Sequence, residues 1–228
     1  TEEKSNEITA IPELLKVLAL KGCVVTIDAM GCQKEIVKQI VDQEADYVIS
    51  LKGNQGTLHK EVELFLQDAK ENGFKDLSYD TYETTDGEHG RIEIRSFTTT
   101  AEIDWFEDKS KWAKLSSVGM VESERHIGDK ITRETRYYIS SLPSDAKLFA
   151  QAARGHWGIE NGLHWCLDIA FNEDQSRVRI GHAATNLGIV RHFALNLIKQ
   201  DQTRKSGVKA SRKRAGWDES YLHRLLGL

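Results

Sequence analysis

Cysteine and proline are scarce in this chain of 228 residues, and no long apolar run is present. The three cysteines (Cys23, Cys32 and Cys166) show no CxxC spacing, which argues against a disulfide framework or structural zinc and favours a reducing cytoplasm. With two prolines, 17 glycines and no biased tract, nothing indicates disorder. No apolar stretch approaches the roughly 18 residues that cross a membrane, so we predict no membrane partner.

Charge is unevenly distributed along the chain. The formal net charge of −4 argues against a general nucleic-acid binder. Basic residues nevertheless gather in two groups, and each group is as consistent with a solvated face as with a phosphate-binding surface. The C-terminal group, in which Asp201 is the only acid, contains Lys199, Arg204, Lys205, Lys209, Arg212, Lys213 and Arg214. The other group contains Arg91, Arg95, Arg125, Lys130, Arg133 and Arg136.

Helical and strand patterns alternate in the first third of the chain. Residues 11–20 predict an amphipathic helix with Pro12 near its first turn and Gly22 closing it. The apolar runs CVVTID and DYVISLK predict strands buried on both faces. Helical spacing over 30–45 and 54–73 completes an order that predicts an α/β fold, with a parallel or mixed sheet flanked by helices.

The middle of the chain changes to period-two alternation. It predicts two hairpins, with turns at Asp86-Gly87 and at Gly128-Asp129. Helical pattern returns after Ser144, a predicted N-cap, and continues to about residue 171 and again over the segment before residue 200. The predicted division is a partial core at 1–78, a β-rich insertion at 79–142, C-terminal core helices at 143–200 and a basic tail at 201–228.

Two groups of ionisable residues are candidates for chemistry. Asp28 ends the first apolar run, where open parallel sheets bind ligands, although a helix cap or turn explains an isolated aspartate more simply. A helical stretch carries a polar residue at every fourth position: His156, Glu160, His164 and Asp168. Such residues on one helix face are paired, hydrogen-bonded or metal-bound. A structural hydrogen-bond network is the alternative, and a zinc site is poorly supported without an HExxH motif.

Asp28 and Glu160 together suggest metal-dependent chemistry. A carboxylate at a strand end and another on a helix can chelate Mg²⁺ or Mn²⁺, and two such ions catalyse phosphodiester cleavage. A site of this kind usually needs a third carboxylate.

Four long segments carry a resemblance to a known family: VVTIDAMGCQ, YVISLKGNQ, HGRIEIR and RGHWGIENGLHWCLDIAFNED. Over essentially its whole length the chain resembles DDE transposases of insertion sequences, in the H-repeat-associated branch. The resemblance implies a ribonuclease-H-like core with a β-rich insertion before the glutamate-bearing helix. It also implies Mg²⁺-dependent (or Mn²⁺-dependent) strand cleavage and strand transfer at insertion-sequence ends. Asp28 matches the second acidic residue of the catalytic triad and Glu160 the glutamate, so both are implied to be catalytic and metal-binding.

The same resemblance implies DNA contacts for Lys52, Asn54, Gln55, His89, Arg91, Arg95, Arg154 and His156. For the segment 52–55, a turn with a helix cap is an equal alternative. The alternation Arg91-Glu93-Arg95 is typical of a cross-strand charge ladder.

Two departures from the family pattern are expected to matter. The family's tyrosine, arginine, glutamate and lysine signature falls here on Ala153, His156, Glu160 and Leu167, so the lysine's role is absent or supplied elsewhere. No aspartate precedes Asp28, whereas the family's first catalytic aspartate lies on an earlier strand. We therefore predict a truncated form that lacks the first three core strands and is inactive alone.

The sequence is also compatible with two other functions. One is a catalytically inactive DNA-binding or self-association module, which would keep the basic surface and dimerise, either with full-length relatives or as a homodimer. Salt-dependent DNA binding without metal-dependent cleavage would identify it. The other is a zinc hydrolase that uses His156, Glu160 and His164, which would require stoichiometric zinc.

Overall fold

The computed structural model describes residues 7–88 and 90–228, and the side chains of all of these except Glu7, Asn54, Glu88, Glu160 and Asn161. The chain forms two compact units, Thr1–His156 and Trp157–Leu228. In the described ranges, no helix combines the length and the apolar character needed to span a membrane.

The first unit alternates helices and strands before it turns to hairpins. Its elements in chain order are α1 (Glu7–Val17), β1 (Val24–Ile27), α2 (Lys34–Asp42), β2 (Asp46–Leu51), α3 (Thr57–Glu71), β3 (Asp80–Glu88), β4 (Arg91–Thr100), β5 (Ser117–Ile127), β6 (Lys130–Ser140) and the start of α4 (Ala146–Ile159). Short 3₁₀ turns at Ala29–Gly31 and Gly53–Gln55 follow β1 and β2.

These strands form one six-stranded sheet in the order β1-β2-β6-β5-β4-β3. The β1–β2 pair is parallel, with Val25 opposite Tyr47, and the other four pairs are antiparallel. A mixed sheet flanked by helices, as predicted, is therefore confirmed. The strands that were predicted as a β-rich insertion continue this sheet, since β6 pairs with β2 and places Ile139 opposite Ile49.

The two faces of the sheet carry separate apolar clusters, because alternate residues of a strand point to opposite faces. On one face, Tyr47 and Ile49 pack with residues of α2 and α3. On the other face, Val48 and Phe97 pack beneath α4 through Phe149. β2 is therefore buried on both faces, as predicted.

The same prediction was wrong for β1. Its residues are half-buried, and Val24 is 38% exposed. Among the described strands, β1 has β2 as its one neighbour, so it lies at the edge of the sheet. A strand at an edge leaves backbone N–H and C=O groups unpaired along its open side.

Several predicted boundaries differ in the structure. α1 ends at Val17, and Pro12 lies in its middle and not in its first turn. The helix predicted over 30–45 is preceded by the Ala29–Gly31 turn and spans Lys34–Asp42. Ser144 does not cap α4: its hydroxyl donates to the Thr99 carbonyl at 2.9 Å, while Asp145 accepts from the Leu148 N–H at 2.8 Å.

The first hairpin turns later than predicted. Asp86 and Gly87 belong to β3, opposite Glu93 and Ile92, and the turn follows Glu88 with Gly90 at φ +75°. Only glycine adopts that conformation without strain. The second hairpin turns at Gly128 and Asp129 as predicted.

The second unit is helical. A π-helical segment (Glu160–His164) is followed by α5 (Trp165–Phe171), α6 (Ala183–Gln200), α7 (Val208–Ala215) and α8 (Glu219–Leu226). The region that was predicted as a basic tail thus contains two short helices. Within this unit α7 packs against α5, α6 and α8.

Candidate functional site

Asp28 lies directly after β1, at the carboxyl end of the parallel pair. Its Oδ1 accepts a hydrogen bond from the Met30 N–H at 2.9 Å and so caps the Ala29–Gly31 turn. The simple interpretation as a cap therefore holds for one oxygen. In the part of the chain that the structure describes, Oδ2 makes no hydrogen bond, and the side chain is half-buried. Asp28 can cap the turn and still present one carboxylate oxygen to a ligand.

The loop after β2 lies against the Asp28 loop, because the two strands are parallel and end at the same edge of the sheet. Gln55 joins the loops: its Nε2 donates to the Ala29 carbonyl at 2.8 Å, and its Oε1 accepts from the Lys52 N–H at 3.2 Å. Both polar ends of the Gln55 amide are therefore occupied by backbone groups. Lys52 is exposed, and the backbone of Asn54 lies in the Gly53–Gln55 turn.

A cavity of about 530 Å³ lies beside these loops. Gln55 and Cys32 line it, and its charged lining residues are four acids and one lysine: Glu35, Glu61, Glu107, Asp108 and Lys34. Asp28 does not line it. An acidic lining repels phosphate, so this cavity is unsuited to the DNA backbone.

Four arginines gather on one face of the hairpin strands and on α4. We call Arg91, Arg95, Arg125 and Arg154 the arginine cluster. Glu93 lies at its centre: its carboxylate accepts from Arg95 at 2.7 Å and Arg125 at 3.2 Å, and Arg91 lies at 3.7 Å. Glu93 is buried, whereas Arg91, Arg125 and Arg154 keep more than two fifths of their side chains exposed.

Asp86 links this cluster to α4. Arg154 Nη1 donates to Asp86 Oδ2 at 2.7 Å and to Thr84 Oγ1 at 3.3 Å, and Arg95 donates to the same Asp86 oxygen at 2.6 Å. The hydrogen bond from Arg154, then that from Arg95, holds the pKa of the Asp86 carboxyl below its ordinary value despite partial burial. Among the side chains that the structure describes, four guanidinium groups contact two carboxylates here, so these contacts leave an excess of positive charge.

The sequence pattern predicted this ladder but missed one of its carboxylates. Alternation along β4 placed Arg91, Glu93 and Arg95 on one face, and the structure shows cross-strand ion pairs from Glu93 to β5 and from Arg95 to β3. Asp86 was assigned to a turn. Its position opposite Glu93 could have been read from the period-two register, had the turn been placed at Gly90.

The helix-borne candidates are less regular than their spacing suggested. His156 is half-buried near the end of α4, and Glu160 begins the π-helical segment Glu160–His164. The π-helical segment interrupts the α-helical hydrogen-bond pattern, so these positions do not lie along one continuous α-helix. The side chain of Glu160 and the whole of His89 lie outside the described residues.

The carboxylate of Asp28 is the hard oxygen donor that Mg²⁺ and Mn²⁺ prefer. In the ranges 7–88 and 90–228, no group of three or more His, Cys, Asp or Glu side chains is placed to hold an ion. The donor chemistry of Asp28 therefore fits such an ion, but the described side chains do not complete a site.

Comparison with known proteins identifies the family. The sequence model described as "Transposase DDE domain" matches residues 1–197. The chain is 43% identical over 230 residues to "Putative transposase YncI" of Escherichia coli O157:H7, covering 99% of this chain and 58% of that protein. It is 40% identical over 234 residues to "H repeat-associated putative transposase YhhI" of Escherichia coli strain K12, covering 99% and 60% respectively.

A third relative, "Putative protein YbfL" of the same strain, is also 40% identical over 234 residues, with the same coverage. The chain thus spans about three fifths of the length of the curated relatives it matches. The matches to the family model and to relatives that carry the H-repeat name agree with the resemblance seen in the sequence. The chain belongs to the DDE transposase family.

Proposed function

We propose that this chain supplies part of a ribonuclease-H-like active site for metal-dependent cleavage and transfer of DNA strands at insertion-sequence ends. The observation that carries this proposal is the position of Asp28. It follows β1 at the carboxyl end of a parallel strand pair and has one oxygen without a described hydrogen bond, in a chain that belongs to the DDE transposase family.

Asp28 and Glu160 are the proposed metal ligands and catalytic residues. Their carboxylates would hold Mg²⁺ or Mn²⁺, which supplies activation of the attacking oxygen and stabilisation of the leaving oxygen in phosphodiester cleavage. Asp28 is held in place by the Met30 N–H, and Gln55 fixes the loop that carries it. The rigid capped turn would keep the Asp28 carboxylate aimed in one direction as substrate binds.

The open side of β1 supports a further part of this proposal. In a ribonuclease-H-like core, another strand carries the first catalytic aspartate. Among the described strands β1 pairs only with β2, and its Val24 is exposed, as expected for a strand that can accept such a neighbour. We propose that a strand bearing an additional aspartate pairs here.

DNA contacts are proposed for two surfaces of the first unit and for His156. Lys52 and Asn54 lie in the loop beside Asp28, and the exposed guanidinium groups of the arginine cluster carry excess positive charge. Arg91 and Arg154 suit phosphate because a guanidinium donates in a planar fork. Gln55 is assigned to loop positioning instead of DNA contact, since its amide is occupied.

One observation favours a second candidate, a DNA-binding module that does not cleave. The exposed guanidinium groups of Arg91, Arg125 and Arg154 can bind phosphate without a metal ion. Such a module would keep the basic surfaces and bind DNA in a salt-dependent manner. Self-association with a related chain is the proposed route by which it would act.

Titration calorimetry with Mn²⁺ separates the two candidates. The chain and its Asp28→Asn/Glu160→Gln variant are compared with Asp129→Asn/Glu219→Gln, which neutralises one exposed carboxylate in each unit. We expect saturable Mn²⁺ binding by the unaltered chain and by the Asp129/Glu219 variant, and no such binding by the Asp28/Glu160 variant. Equal binding in all three proteins would overturn the assignment of these two carboxylates as ligands.

A DNA nicking assay in Mn²⁺ tests the reaction itself. If the unaltered chain cleaves DNA and the single variant Glu160→Gln does not, the chain is active. That result would contradict the prediction that the chain is inactive by itself. DNA binding without cleavage, combined with no Mn²⁺ site, would favour the non-cleaving module.

A further inference from the structure

The two units carry opposite net charge. Residues 157–228 contain 11 Lys and Arg against 7 Asp and Glu, a net charge of +4, while residues 1–156 contain 20 against 28, a net charge of −8. Six of the 11 cations fall within residues 204–214, which contain no acid. The chain as a whole is slightly acidic, but α7 and the loop before it form a strongly basic segment.

α7 separates its buried and exposed residues cleanly. Ser211 is buried, and Val208 and Ala215 are half-buried on the same side, three and four residues away. Lys209 and Lys213, four residues apart, are both exposed. Residues at this spacing lie one above the other on a helix surface, so the two ammonium groups form a row on the outer face.

Some cations of the segment already have structural partners. The Arg212 guanidinium lies 5.5 Å from the centre of the Phe171 ring, and Arg214 pairs with Asp218 at 3.0 Å and lies over Tyr221. These contacts attach α7 to α5 and α8. They fix the helix so that its other face stays outward.

Four cations have no such partner. Within the described ranges no carboxylate pairs with Arg204, Lys205, Lys209 or Lys213, and all four are exposed. Exposed cations that no carboxylate neutralises attract a polyanion and release its counterions on contact. Trp217, just after α7, is 81% exposed. A single ring is not the series of stacking platforms that single-strand binders use, which favours a duplex.

We propose that the exposed face of α7, together with the loop at 204–207, binds the phosphate backbone of duplex DNA without reading its sequence. The inference rests on the proposed function for the identity of the polyanion. It adds a surface that lies beyond the region matched by the family model, which ends at residue 197, although the relatives match almost the whole chain.

The test is fluorescence anisotropy of a labelled duplex of about 30 base pairs in EDTA, with salt varied from about 50 to about 200 mM. Lys209→Gln/Lys213→Gln removes two outward charges from α7 and keeps good helix formers. Lys75→Gln/Lys147→Gln removes two exposed, unpaired lysines from the first unit and serves as the charge-matched control. Circular dichroism checks that each variant keeps its helix content, and Arg204→Gln/Lys205→Gln repeats the test outside the helix.

The α7 pair is expected to weaken DNA binding about tenfold or more and to lower the slope of log K against log salt by about 2, because two phosphate contacts are lost. The control pair should change neither. Unchanged binding in the α7 and loop variants, or equal loss in the control, overturns this inference and leaves the proposed cleavage site standing. A loss seen with duplex RNA but not with DNA also overturns it. If the unaltered chain binds no DNA, the proposed function fails as well.

Discussion

Among single residues, Gln55 has the most specific structural role near Asp28, because its amide bonds to backbone groups of two loops. Gln55→Ala removes both bonds, and also the longer one from Nε2 to the Cys32 carbonyl at 3.5 Å, and so weakens the attachment of the turn that contains the buried Ala29. We expect a loss of about 1–2 kcal/mol in the free energy of unfolding, measured by urea titration. Gln151→Ala, at an exposed position on α4, should change it by less than about 0.5 kcal/mol. Equal stabilities for the two variants would contradict the positioning role.

Asp86 gives the arginine cluster a predictable pH dependence. Hydrogen bonds from Arg154 and Arg95 lower the pKa of this carboxyl, so its ionised form stabilises the folded state. This contribution is complete above the ordinary pKa of 3.8 and is lost as pH falls from there through the lowered value. Asp86→Asn should therefore be less stable than the unaltered chain near neutral pH, and the difference should shrink in acid. Urea titrations at several pH values measure it, and a difference that grows below pH 3.8 would contradict it.

At the scale of elements, β1 presents both a covered and an uncovered face at an open sheet edge. Val25 packs against the cluster shared with α2 and α3, whereas Val24 is 38% exposed. Val24→Lys should leave the melting temperature almost unchanged and reduce concentration-dependent light scattering, because lysine on an edge strand hinders edge-to-edge pairing. Val25→Lys is the matched variant and should destabilise the unit strongly, since it places a charge among apolar side chains. Identical effects of both substitutions would show that the two faces do not differ.

Element types were predictable where a local period sets them. The hairpin strands, β2 and the strand-end position of Asp28 all follow from alternation or from an apolar run bounded by polar residues. Pairing between β2 and β6 did not follow, because it joins residues about 90 positions apart and is decided by tertiary packing. The π-helical turn at Glu160 was also missed, since a four-residue spacing is read as α-helix unless the backbone is known. Among the site residues, the direction of the Gln55 amide could not be predicted from the sequence, because it depends on the Ala29 loop that folds against it.

At the scale of the whole molecule, the apolar core is concentrated in the first unit. Both sheet-facing clusters belong to it, whereas the buried apolar residues described in the second unit are Leu167, Ala170, Leu195, Ile198 and Tyr221. We expect residues 1–156 alone to melt cooperatively and residues 157–228 alone to lack a cooperative transition, because so small a core cannot offset the loss of chain entropy. Calorimetry of the two fragments measures this, and a sharp transition in the second fragment alone would contradict it.

The pairing of β6 with β2 also fixes when this protein can fold during its synthesis. β2 is complete at Leu51, but the strand that covers its second edge ends at Ser140, and α4 then has to close over Val48. The ribosome must therefore release about 90 further residues before the centre of the sheet has both neighbours. At about 5–20 residues per second this takes several seconds, during which β2 offers an unpaired edge. The nascent chain is therefore most prone to mispairing of β2 after α3 has been synthesised and before β6 is complete. Chaperones that hold extended segments would act during that interval.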